Sequence, residues 1–314
     1  MDWTTFLLIL QNTVLIGVLI SAGFAARRFG WINETTERGL SRLLVDLFWP
    51  CLIFTNITAG LNRSDILSNI SLPLLAVLTA MCGFAVALIW VRLAKDRGDK
   101  RALMLYQGLI NNFVFMVLPF ARQFLPQKGE GLLFIHNLGP IVLIWTLGVY
   151  VLRGESGRKE GLKALLTPGL LSTVIAVVVV LSGVRDILPS AAGPVFASVG
   201  EALSVFGRAA LPVAMIVAGS RIAGMGRGAL CFDGWNIRLL LLRLVLVPGI
   251  LFLIGVGLKY TGCFSRESLI IFMLVNAMPV SINSISLSQR FNRSADLAAQ
   301  GVVMTHLFAL ITVP

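Results

Sequence analysis

Charge is the scarcest ingredient of this 314-residue chain: 13% of its residues are Asp, Glu, Lys or Arg, against 57% hydrophobic. A soluble domain carries about 25% charge and about 45–50% apolar residues, so too little polar surface remains here for a large water-soluble fold. The same shortage excludes a disordered chain, and neither a collagen period nor a coiled-coil pattern is present. Cysteine occurs four times and histidine twice. Cys51 and Cys82 lie in apolar runs, Cys231 and Cys263 in separate polar breaks, and no CxxC pair exists. Free thiols and no metal site are therefore expected. No GxxxxGK[ST] loop and no HExxH motif occurs, and His136 and His306 are too far apart for a local catalytic motif. An enzyme is not expected, and neither is a cofactor.

What the chain has in abundance is apolar runs of about 18–25 residues, the length a helix needs to cross about 30 Å of hydrocarbon. A membrane β-barrel would show alternating segments of about 10 residues instead. Ten spans are read, at about 5–26, 38–59, 70–92, 101–124, 131–152, 165–183, 195–221, 237–259, 267–289 and 294–314. The start, Met1-Asp2-Trp3, brings no basic residue before the first run, so that run is expected to be a retained span rather than a cleaved signal. The expected fold is an all-α polytopic membrane protein with the lipid bilayer as its surroundings.

The basic residues orient it. The odd-numbered loops hold most of the 26 Lys and Arg, with the densest groups at Arg92 to Arg101 and Arg153 to Lys163. The even-numbered loops hold Arg63, Arg122, Lys128, Arg185, Lys259 and Arg266. By the positive-inside rule the odd loops are cytoplasmic and both termini face outward. The net charge of +11 follows from this insertion bias, and no nucleic-acid partner is expected.

The two halves echo each other. Span two contains Asp46-Leu-Phe-Trp-Pro50-Cys-Leu, and span seven contains Arg208-Ala-Ala-Leu-Pro212-Val-Ala, each with a mid-span proline. Spans four and nine share another texture: apolar first, then interrupted by Asn, Pro or small polar residues, then ending in Arg or Gln. Two repeats of five spans are read, residues 1–160 and 161–314. An odd number of spans makes the second copy enter the membrane from the other side. Such inverted repeats belong to secondary transporters, whose substrate site lies near the midplane at discontinuous helices.

Span four reads Asn111-Asn112-Phe-Val-Phe-Met-Val-Leu-Pro119, and span nine reads Asn276-Ala-Met-Pro279-Val-Ser281-Ile-Asn283-Ser284. Proline removes an N–H and clashes with the carbonyl four residues back; Asn and Ser offer the freed backbone other partners. Irregular backbone at membrane depth must be buried in protein or line a watery cavity. Half-helix N-termini carry about +0.5 of a charge and favour anions. Two readings follow: a carboxylate site built from Asn111, Asn112, Pro119, Asn276, Pro279, Ser281 and Asn283, or a set of kinks and interhelical hydrogen bonds. The matching positions of both clusters in the two halves favour the site.

The pattern Asn112-x6-Pro119, the stretch Asn276-Ala-Met-Pro279-Val-Ser-Ile-Asn283-Ser284 with Arg290-Phe-Asn-Arg-Ser-Ala-Asp296 after it, and the proline segments Leu47 to Phe54 and Leu211 to Gly219 together resemble the auxin efflux carrier family, helix by helix and in order. The resemblance implies ten helices with broken, crossed helices four and nine. It implies transport helices 3–5 and 8–10 working against scaffold helices 1, 2, 6 and 7, commonly as a homodimer through the scaffold. It implies export or exchange of small organic anions, with Asn112 on the substrate and Pro119 and Pro279 shaping the crossing. The short segment 153–163, and Ser284 where plant carriers show a second proline, fit a bacterial malate- or malonate-type member in the inner membrane.

Charges inside spans are costly and usually have a partner or a role. Asp46 and Arg208 occupy matching places in the repeat, and an ion pair between them is the first expectation. Arg208 with Glu201, or Asp46 facing water, are the others. Arg42 and Arg243, near span ends, are read as snorkelling to the interface. His136 and His306 are read as packing residues or proton relays. The function expected is a secondary carrier for a mono- or dicarboxylate. An intramembrane enzyme, a channel and a receptor are the alternatives, each lacking its signature motif or domain.

Overall fold

The computed structural model describes residues 3–113, 116–126, 128–154, 166–184, 193–229, 231–262 and 264–312. Arg158, Lys159, Lys163, Arg185 and Cys263 lie outside the described residues. All regular structure among them is helical. In chain order the helices are α1 (Trp3–Arg28), α2 (Glu34–Gly60), the short α3 (Arg63–Ser68), α4 (Ser71–Leu93), α5 (Gly98–Leu109), α6 (Val117–Phe124), α7 (Gly129–Leu143 continued to Arg153), α8 (Pro168–Ser182), α9 (Gly193–Met225), α10 (Gly234–Thr261), α11 (Arg266–Asn276), α12 (Asn283–Arg290) and α13 (Ala295–Thr312). The short α3, capped by Asn62 and Asp65 in a reciprocal capping box, had no counterpart in the span reading.

Among the described residues, five helices are long and apolar enough to cross a bilayer: Glu34–Gly60, Ser71–Leu93, Gly131–Arg153, Ala197–Met225 and Gly234–Thr261; Pro168–Ser182 is apolar but shorter. Their outer faces are hydrophobic. Val174, Ile175 and Val178 on α8, and Phe252, Leu253 and Val256 on α10, stand exposed. Continuous apolar faces of this kind are rare on water-soluble monomers and cost nothing against lipid.

Small residues bring the helices together, as is usual where lipid supplies no hydrophobic drive between them. A Cβ on Gly23 of α1 would lie 2.2 Å from the Ile216 carbonyl oxygen of α9, and one on Gly219 of α9 would lie 1.9 Å from that of Ile20. The two backbones therefore touch. On α2, Ser172 of α8 donates to the Pro50 carbonyl at 2.6 Å, and Gly207 of α9 packs against the Leu52 backbone. α4 lies between α5 and α7, α12 packs on α13, and α10 meets α11.

Three of the long helices contain a π turn: Leu44–Phe48 in α2, Ile144–Gly148 in α7 and Leu242–Leu246 in α10. Two of these immediately precede a proline segment, Trp49-Pro50 and Val247-Pro248, where the ring would strike the carbonyls of Asp46 and Leu244. The wider turn relieves that clash and re-aims side chains. By contrast α9 runs through Pro212 as ordinary α-helix, so the likeness between Pro50 and Pro212 does not extend to the backbone.

Candidate functional site

The segments read from sequence as spans four and nine are each split in two. α5 ends at Leu109 and α6 starts at Val117; α11 ends at Asn276 and α12 starts at Asn283. The two intervening segments lie side by side as a one-step antiparallel bridge, Asn111 opposite Val280. The Asn112 N–H donates to the Pro279 carbonyl at 2.8 Å, and the Ser281 N–H to the Ile110 carbonyl at 3.4 Å. Each unwound segment thus satisfies the backbone of the other, which is what irregular chain inside a membrane requires.

Side chains complete the crossing. Asn111 Nδ2 donates to the Val275 carbonyl at 2.6 Å, closing the last turn of α11. Gln107 Nε2 donates to Ser284 Oγ and to the Ala298 carbonyl, both at 3.0 Å, tying α5 to α12 and α13. His306 on α13 approaches the Val302 carbonyl through Nδ1 at 2.9 Å. That nitrogen must carry the proton, so Nε2 of the neutral ring accepts from Asn112 Nδ2 at 3.2 Å. Asn276 is 2% exposed, and among the described residues neither its Oδ1 nor its Nδ2 has a partner. A buried amide with all its capacity unused is costly and marks a place for water or a ligand.

The crossing has two electrical ends. α6 and α12 begin there without a side-chain cap, presenting the positive ends of their dipoles. Asn283, the first residue of α12, lines a cleft of about 50 Å³ together with Phe113 of the crossing, Asn137 and Phe134 of α7, and Asn56 and Trp49 of α2. α5 and α11 end there, presenting carbonyls, and Arg243 of α10 lies against them. Its Nη1 donates to the Gly108 carbonyl and its Nε to the Met278 carbonyl, each at 3.3 Å. Arg243 is 0% exposed, so the snorkelling expectation for it is overturned: the π turn before Pro248 aims its side chain into the protein.

Of the sequence-predicted site residues, Asn111, Asn112, Pro279 and Ser281 are brought into the paired segments, with Asn276 and Asn283 at their borders. Pro119 falls in the first turn of α6, where a missing N–H costs nothing. Asp46 and Arg208 do not meet. Arg290 Nε donates to both Asp46 oxygens, at 3.0 and 2.9 Å, while Arg208 pairs with Glu201 at 2.6 Å on an exposed face. The predicted pair fails because the π turn rotates Asp46 toward α12. His136 is 0% exposed and its Nδ1 lies 3.3 Å from Asn137 Oδ1.

Among the residues of this machinery missed at the level of sequence are Gln107, Asn137, Asn56 and Glu37. Glu37, in the first turn of α2, is 1% exposed. It accepts from Ser220 Oγ at 2.6 Å and Arg221 Nη1 at 3.2 Å of α9, and from Gln289 Nε2 of α12. Ser41 donates to the same Gln289, and Arg221 reaches Asp296 at 2.9 Å. With Asp46 and Arg290, these groups form an ionic latch between α2 and α9 on one side and α12 and α13 on the other.

The family described as Membrane transport protein matches residues 8–161 and 155–314, and the chain belongs to it. It is similar to an uncharacterized transporter of Methanocaldococcus jannaschii, 21% identical over 96% of this chain and 95% of the relative. It is also similar to the uncharacterized transporter YfdV of Escherichia coli, 24% identical over 95% of this chain and 93% of the relative. Family and relatives alike identify a transporter rather than an enzyme, and with the apolar helices an integral membrane protein.

Proposed function

We propose that the protein is a secondary carrier that moves a small organic anion, a mono- or dicarboxylate, across a bacterial inner membrane by alternating access. In this reading the chain makes ten spans as a five-plus-five inverted repeat, residues 1–160 and 161–314, with both termini outside. Helices of spans 1, 2, 6 and 7 form the scaffold, through which two copies pair. Spans 3–5 and 8–10 carry the substrate. The observation that supports it most is the start of α12, without a side-chain cap, opening beside a cleft in which three amides, Asn283, Asn137 and Asn56, stand among apolar side chains. A carboxylate there would meet the positive helix end and the amides of Asn283, Asn137 and Asn56. The cleft has room for one or two waters, so α2 and α7 must part from the crossing to admit an anion.

The test is a melting-temperature screen of the purified protein against monocarboxylates, dicarboxylates and indole acids, followed by counterflow of the best binder in proteoliposomes. Saturable counterflow is expected, and Asn283→Ala, which removes an amide that lines the cleft, should lower affinity at least about tenfold with folding intact, since a lost charge-assisted hydrogen bond is worth about 1.5–3 kcal/mol. Absence of any stabilising carboxylate would overturn the anion assignment, and a linear, unsaturable current would overturn the carrier.

A further inference from the structure

Arg243 is a buried cation that the anion reading leaves without a task. Both of its hydrogen bonds among the described residues go to backbone carbonyls, Gly108 at the end of α5 and Met278 just past α11. Each helix C-terminus carries about −0.5 of a charge, so the convergence of two leaves close to one negative charge to be compensated in a buried place, where Arg243 and Met278 are both 0% exposed. Transporters with broken helices commonly meet such carbonyls with a bound alkali cation. Here the place is taken. A Cβ on Gly83 of α4 would lie 2.1 Å from the Gly108 oxygen and 3.3 Å from Arg243 Nη1, so that glycine is what lets α4 close over carbonyl and guanidinium together. The remaining Nη2 is buried and, among the described residues, has no hydrogen-bond partner. It adds a donor where a metal ion would need acceptors.

We infer that Arg243 is a resident cation, a positioning residue that holds the carbonyl ends of both broken helices and replaces a coupling alkali ion at the crossing. This rests on the carrier reading of that crossing. An arginine keeps its charge in proteins, so the compensation is permanent, and the cycle runs without sodium or potassium bound there.

The test compares melting of the purified, substrate-free protein in sodium, potassium and choline chloride at equal ionic strength. The wild type is expected to melt at one temperature in all three, and its flux in proteoliposomes to be the same in sodium and choline. Arg243→Gln should melt lower in choline and recover part of the loss as sodium or potassium is raised, because the vacated carbonyls then bind the ion. Arg243→Lys, which keeps the charge, should fold and stay insensitive to the cation. Sodium- or potassium-dependent melting or flux of the wild type would overturn the inference, as would a folded Arg243→Gln with no cation response. Should Arg243→Gln fail to fold, Arg243→Lys decides: a folded, cation-insensitive protein supports the inference, and a second failure to fold overturns it. Failure of every carboxylate to bind would leave these cation results standing, while a cation requirement would leave carboxylate binding standing, so the two readings fall separately.

Discussion

The crossing and the latch both join α12 to the rest of the molecule, and they do so with opposite chemistry. At the crossing, the bonds run between backbone groups and buried neutral amides, with a single guanidinium against carbonyls. At the latch, they run between carboxylates and arginines, from Glu37, 1% exposed in its cluster, to the outer pair, where Arg290 and Asp46 are 34% and 29% exposed. A buried backbone bond has no alternative partner, so breaking it costs the full desolvation penalty. A half-exposed ion pair exchanges its partner for water at a cost of about 1 kcal/mol or less. On the alternating-access reading proposed above, one joint stays closed through the cycle and one opens within it; the crossing fits the first task and the half-exposed Asp46–Arg290 pair the second.

The comparison breaks most visibly at Gly83. A methyl there meets the Gly108 oxygen at 2.1 Å, a backbone atom that cannot move aside. Gly83→Ala should therefore cost about 3 kcal/mol or more through overpacking, seen as a lower melting temperature or loss of the monodisperse protein. Melting unchanged to within a degree would mean that the crossing yields to small shifts and is not the rigid joint. Next in size is Glu37→Gln. It leaves Arg221 and Arg27 facing a neutral amide in a nearly closed site, and removal of one partner of such a cluster costs about 3 kcal/mol. The same substitution should loosen α12 from α9, read as faster labelling of a cysteine placed at Ser41 by a water-soluble reagent.

Asp46→Asn should cost less, about 1 kcal/mol, and unlike the Gly83 substitution its effect should fade as salt is raised toward 1 M, where the screening length falls to about 3 Å. A salt-independent loss would show that this pair is shielded and belongs with the crossing. On the proposed alternating-access reading, a shift in the ratio of outward to inward labelling, with total stability nearly unchanged, is the sign that Asp46–Arg290 biases the two states.

The crossing was largely legible in the sequence, because its cause is local. Asn111-Asn112 and Pro279 with Asn283 interrupt apolar runs, and an interruption in hydrocarbon must find a partner; the matching interruption in the other half is the natural one. The latch was not legible. Glu37 sits in a polar first turn that reads as an ordinary solvated helix start, and its burial comes from Ser220, Arg221 and Gln289, residues distant in sequence. Arg243 was misread for a different reason. Its distance from the span end fits a snorkelling residue, and only the π turn at Leu242–Leu246 sends it inward. Symmetry between the halves also misled: Pro50 and Pro212 match in sequence, but one follows a π turn and the other does not. The wider turn sends Asp46 to Arg290 and leaves Arg208 to Glu201.

That last pair supplies the smallest expected effect. Glu201 and Arg208 are 66% and 64% exposed although only 2.6 Å apart, and exposed pairs contribute between nothing and about 1 kcal/mol. Glu201→Gln should move the melting temperature of the protein by the equivalent of about 0.5 kcal/mol or less, and a double-mutant cycle of Asp46 with Arg208 should return no coupling, while Asp46 with Arg290 returns about 1 kcal/mol. A loss beyond about 2 kcal/mol on Glu201→Gln would mean that water does not reach the pair. Lipid alone would leave such a charge pair unsatisfied, so a second copy packed on α9 would then be the cover, and the loss should vanish when the protein is diluted to the monomer.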